Sequence, residues 1–120
     1  MEGEEPVLKA NEKIVLSGTE TIELLKEIEI ILISLHKIGS YYGTKWHEGK
    51  LDKEKYEYER ETNRFIDEWK VTRRLAKVRC ILSEKFDDTL GDDDMDDLER
   101  AMESLKYWTA PGDKPEDCIE

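Results

Sequence analysis

The chain has 120 residues, of which 38% are hydrophobic and 41% charged, and a formal net charge of −11. That length suits a single domain over 1–120 with a core of its own. The acidity argues against a surface for DNA, RNA or anionic lipid, because the long-range field has the wrong sign. The charge is unevenly spread: residues 1–40 sum to −4, 41–85 to +3, and 86–120, with 13 acids and 3 bases, to −10.

Residues 1–13 are polar and read as a frayed start, and Lys13-Ile14-Val15-Leu16 reads as a short extended lead-in with no second strand to pair with. Ser17 followed by Glu20 has capping-box spacing, with Thr19 as a competing cap. Ile22, Leu25, Ile28, Leu32 and Leu35 then recur at steps of three and four, which predicts a first helix over about 19–38. Ile30, Ile31 and Ile33 add apolar surface on its other sides, so this helix is expected at the centre of the fold. Gly39 is the expected stop. The glycine-containing segment 39–51 is expected to be a loop carrying Tyr41, Tyr42, Trp46 and His47.

Asp52 reads as the cap of a second helix over 53–86, with Val71, Leu75, Val78, Leu82 and Phe86 in one apolar row widened by Phe65, Trp69, Ala76 and Cys80. At 1.5 Å per residue it would be about 50 Å long, against roughly 25–30 Å for its neighbours. Its polar first half therefore overhangs, bends near Thr62-Asn63, or meets another chain. Met95, Leu98, Met102 and Leu105, extended by Trp108, predict a third helix over 92–108, and residues 109–120 read as a tail after Pro111-Gly112. The expected fold is an all-α bundle of three helices, or four if the long one breaks.

Acids crowd the start of the third helix: Asp92, Asp93, Asp94, Asp96 and Asp97, preceded by Asp87 and Asp88. One or two acids there complement the helix dipole at about 0.3–1 kcal/mol each. This many repel one another, so they point to a cationic neighbour. That neighbour is either the basic face Lys70, Arg73, Arg74 and Lys77 of the same chain or a separate partner. An EF-hand frame fits Asp92, Asp94, Asp96 and Glu103, but Asp97 holds the place that needs glycine. Tyr41, Tyr42 and Trp46 are of the residue types that anchor interfaces from loops.

Catalytic chemistry finds little support. His36 and His47 lack metal-ligand spacing, Ser34 and Ser83 sit on helical patterns, and Gly39, Gly43 and Gly49 make no phosphate loop. The helix pairs Glu23/Glu27 and Glu57/Glu61 arise readily by chance in a chain with 30 acids. No enzyme, cofactor or metal is expected. Cys80 and Cys118 form neither a disulfide framework nor a metal set, the acidic start lacks signal-peptide character, and the run from Ile28 to Leu35 is too short to span a bilayer. A cytoplasmic protein is expected.

In size, acidity, helicity and lack of catalytic groups the whole chain resembles the immunity proteins that neutralise bacterial toxins of the contact-dependent inhibition and colicin types. Phage-encoded inhibitors of defence nucleases are similar in the same respects. The resemblance is one of class, and no residue roles carry over from it. It implies stoichiometric occlusion of a basic toxin or nuclease domain, with Asp87, Asp88, Asp92, Asp93, Asp94, Asp96 and Asp97 facing its lysines and arginines. Tyr41, Tyr42 and Trp46, with Trp108, would be the anchors. The alternatives are a structural or regulatory module that forms a homodimer along the second helix and a small metal-dependent hydrolase using helix carboxylates.

Overall fold

The computed structural model describes residues 7–47 and 51–115, with side chains over 7–45 and 53–115. Its contacts separate into two compact units: Val15–Lys85, and Met1–Ile14 joined to Phe86–Glu120. The fold is all-α, and no strand forms among the described residues.

Three long helices make up the Val15–Lys85 unit: α1 (Gly18–His47), α2 (Leu51–Glu68) and α3 (Val71–Ser83), each packed against the other two. Ser17 starts α1 as its spacing predicts. Its hydroxyl accepts from the Glu20 N–H at 3.0 Å, and the Glu20 carboxylate accepts from the Ser17 N–H at 3.0 Å. The helix does not stop at Gly39. It runs to His47, so most of the expected aromatic loop is helical. Gly39 and Gly43 each cost a helix about 1 kcal/mol relative to alanine. Burial of Tyr42, which is 7% exposed, opposes that cost by taking a large ring out of water.

The predicted long second helix breaks, though at Trp69-Lys70 and not near Thr62-Asn63. Lys70 takes the left-handed conformation (φ 55°, ψ 47°), which costs an L-residue roughly 1–2 kcal/mol. The Arg74 guanidinium compensates. Its Nε donates to the Trp69 carbonyl at 2.8 Å, and its Nη1 donates to Glu27 at 2.9 Å, fastening the break to α1. Lys77 adds bonds to Glu23 at 2.9 Å and Glu27 at 3.0 Å, and Lys85 pairs with Glu20.

The inward row of α1 is also not the expected one. Leu24, Glu27, Ile31, Ile38 and Tyr42 face α2 and α3, while Ile22, Leu25, Ile28, Leu32 and Leu35 lie on the exposed side. Among the described residues of this unit Leu24, Tyr42 and Phe65 are the buried apolar ones, and Cys80, expected among apolar neighbours, is exposed.

In the second unit, Lys9–Asn11 forms a single 3-10 turn and α4 spans only Asp97–Met102. Residues 7–13 are held, not frayed. The buried Asn11 amide donates to the Asp87 carbonyl at 3.1 Å and to Asp97 Oδ2 at 2.8 Å, and its Oδ1 accepts from the Asp87 N–H at 2.7 Å. The predicted helix over 92–108 is cut at both ends. Residues 92–94 turn instead, with Asp94 left-handed at φ 62°. Beyond Met102 the stripe finds no cover: Met102, Leu105 and Trp108 are exposed, and a short helix without packing is marginal in water.

Candidate functional site

Arg100 organises the aspartate-rich segment. It stands three residues after Asp97, so a single helical turn places its guanidinium beside that carboxylate. Nη1 donates to Asp97 Oδ1 at 2.9 Å, Nε and Nη2 grip both oxygens of Asp93 at 2.7 and 2.8 Å, and Nη2 also reaches the Met95 carbonyl at 3.0 Å. The two-toothed grip holds the Asp93 carboxyl down to about 2. Gly91 lies under the same guanidinium. A Cβ there would sit 2.7 Å from Nη2, a contact relieved only by displacing an arginine already tied at four points.

The buried Asp97 is a structural ligand. Its Oδ2 accepts from the Asn11 amide and from the Leu8 N–H, each at 2.8 Å. These bonds, the Asn11 one foremost, and then Arg100 lower its carboxyl below the ordinary aspartate value. Asp96 caps α4 in a capping box with Glu99, at 2.8 and 3.1 Å. Asp87 accepts from the Thr89 N–H at 2.8 Å and is lowered by the Thr89 bonds.

Four of the seven predicted aspartates are thus taken up locally. The carboxylates of Asp88, Asp92 and Asp94 are exposed and have no hydrogen-bond or ion-pair partner among the described residues. The unit that holds them carries 17 acids against 5 bases, a net of −12, whereas Val15–Lys85 carries 13 acids and 14 bases, a net of +1.

Arg74 and Lys77 are bound to Glu23 and Glu27 of α1, and Lys70 and Arg73 make no ion pair among the described residues. Lys70 and Arg73 instead line an open cleft of about 820 Å³ with Asn63, Ile66, Asp67 and Thr72.

The aromatic candidates part ways. Tyr42 is core: its ring meets Tyr41 edge-on at 4.9 Å and Tyr58 at 5.9 Å. Burial first, and then Glu57 and Glu61, push its hydroxyl up from the ordinary value. Tyr41 is exposed, with the Lys45 ammonium 5.0 Å from its ring centre. Trp46 lies in the last turn of α1, and its side chain is outside the described residues, as are those of His47 and Cys118.

More exposed aromatic surface lies in the acidic unit itself. Tyr107 is 62% and Trp108 67% exposed, and together with Leu105, Asp113 and Pro115 they line a cleft of about 300 Å³. Asp113 fixes the turn behind them by accepting from Thr109 N–H and O–H and from Ala110 N–H at 2.8–3.0 Å. Tyr107 escapes a reading of the sequence because it lies off the Met95-Leu98-Met102-Leu105 spacing. Asn11 and Arg100 escaped it because their roles need residues 76 and 7 positions away.

Among the described residues no helix is long and apolar enough to cross a membrane, and no group of three or more His, Cys, Asp or Glu side chains is placed to hold a metal. The class defined by this geometry is an all-α protein with a three-helix bundle and an acidic, polar-clamped second unit. Comparison of the chain with protein-family models, with curated proteins and with solved structures returns no match.

Proposed function

We propose that this chain is a stoichiometric binding protein that occludes a basic protein surface through its acidic unit. The reading rests on the charge left over after internal pairing. The unit has a net of −12, four of the five donors of its Arg100 are already engaged, and Asp88, Asp92 and Asp94 remain solvated, without partners among the described residues. Solvated like charges repel one another and raise the energy of the free unit, and a cationic surface relieves that repulsion. Exposed Tyr107 and Trp108 on the same unit supply the aromatic bodies that dominate binding energy once desolvated. Charge steers the encounter, and the aromatic contacts set the residence time.

The partner that fits is a cationic nuclease-type toxin, which makes the chain an immunity protein acting in the cytoplasm with no reaction of its own. A phage inhibitor of a host defence nuclease would use the same surface. The test is affinity capture by the full chain from its native host, followed by stopped-flow kinetics with the recovered protein. Association should slow steeply with added salt, and should slow about tenfold in the triple variant Asp88→Asn, Asp92→Asn, Asp94→Asn. Trp108→Ala should act mainly on dissociation. A captured partner whose contact surface is neutral or acidic would end this reading.

A further inference from the structure

The outer face of α1 is apolar and has no partner among the described residues. Ile22, Leu25, Ile28, Leu32, Ile33 and Leu35 are each 38–58% exposed. At 3.6 residues per turn they fall within a sector of roughly 160°, flanking the row of Leu24, Glu27, Ile31, Ile38 and Tyr42 that packs inward. Together they leave on the order of 500 Å² of apolar surface, interrupted by Glu29 and His36 and within the size of the largest patch on an ordinary monomer, which is often a site of interaction. No side chain among the described residues is fully buried, so much of this helix's apolar surface stays in water.

Three features of the face choose its occupant. The helix holding it belongs to the near-neutral unit, net +1, so the local charge of that unit does not oppose a second copy, whereas each full chain carries −11. Its large residues lie toward the N-terminal end, and toward the C-terminal end the same sector holds Gly39, Ser40 and Gly43. A Cβ at either glycine would meet nothing within 4 Å. The ionisable groups inside the sector from Ile22 to Gly43 are a carboxylate, Glu29, and an imidazole, His36, placed almost symmetrically about Leu32. Both are exposed.

We propose that the outer face of α1 takes a second copy of this chain, helix against helix and antiparallel, about a two-fold axis near Leu32 and Ile33. In that register Ile22 rests on the partner copy's glycine at position 43, Leu25 packs beside position 40, and Leu32 packs on Ile33. Each Glu29 meets an imidazole at position 36. A parallel pairing stacks large on large at one end and leaves glycine facing glycine across a gap at the other. Two such faces with their flanks bury on the order of 1,000 Å² in total, the lower limit for a specific biological interface. The residues of this face differ from those of the acidic surface proposed above, so either reading stands or falls without the other.

Sedimentation velocity of the full chain at tens of micromolar should give twice the 14.1 kDa mass of one chain. Leu32→Glu should weaken the dimer by about a hundredfold or more, because symmetry places the charge in the interface twice. Its circular dichroism should stay helical, since Leu32 is outside the core. In a Cys80→Ser, Cys118→Ser background, Leu32→Cys should cross-link two chains under mild oxidation, and Ile22→Cys should not. A wild-type monomer, a dimer indifferent to Leu32→Glu, or cross-linking through position 22 in place of 32 overturns the proposal.

Discussion

The two units of this chain solve the same problem by different means. Val15–Lys85 is held by apolar packing around Leu24, Tyr42 and Phe65, with Glu23 and Glu27 of α1 tied to Arg74 and Lys77 of α3 at its margin. The acidic unit has scarcely any regular structure. It is held by a polar cluster in which Asn11, Asp97, Arg100 and Asp93 satisfy one another and nearby backbone groups. Apolar packing is non-directional and tolerates a charge-balanced sequence. A polar clamp is directional, and it lets a segment of net −10 fold by engaging two of its own aspartates on one arginine while leaving others in water. Segments too acidic to build a core can therefore still be ordered, but their order depends on single polar groups.

The sharpest break in that comparison is Phe65→Ala. It should lower the stability of the helical unit by about 3 kcal/mol in denaturant unfolding, since so small a core has little to collapse with. Asn11→Ala comes next. It removes both amide donors and the acceptor for the Asp87 N–H, and should cost the acidic unit about 2 kcal/mol. The loss should appear as faster hydrogen exchange at the amides of Leu8 and Asp87, with the helical unit unchanged.

Acid should separate the units further. The Asp93 carboxyl is depressed to about 2, so its contribution is present in full above the ordinary aspartate value near 4 and drains away as pH falls from about 4 towards 2. Carbon-detected titration of Asp93 should show that low midpoint. In Gly91→Ala the added methyl displaces Arg100, and the midpoint should rise towards the ordinary value. The smallest effect belongs to Glu27→Gln, which loosens Arg74 and Lys77. Screened as those pairs are by partial exposure, it should cost under about 1 kcal/mol in thermal unfolding. If Glu27→Gln proved more damaging than Phe65→Ala, the helical unit would be held by charge, and the contrast between the units would disappear.

Much of the helical unit is legible in sequence order. The Ser17/Glu20 box starts α1 where it should, and the apolar spacing marks both long helical stretches. What misleads is the choice of face. Ile22, Leu25, Ile28, Leu32 and Leu35 form the cleaner stripe, yet the row facing α2 and α3 includes Glu27, which only its cationic partners on α3 make tolerable inside. Of the candidate site, the surplus of acids can be read from composition, but not which carboxylates are free. Asp93 and Asp97 look no different from Asp92 and Asp94 until Arg100 and Asn11 are placed.

Composition and periodicity by themselves determine that the chain is helical, that its ends are acidic and its middle nearly neutral, and where its first helix begins. Tertiary structure decides the rest. Helix continues through Gly39 and Gly43 because Tyr42 gains a buried place, and it breaks at Lys70 because Arg74 can fasten the break. The last helix is cut to Asp97–Met102 because the apolar residues beyond it have no cover. The reason is one of range. Helix spacing and charge are properties of neighbours in the chain, whereas burial and the pairing of a particular carboxylate depend on groups many residues away, which no local pattern encodes.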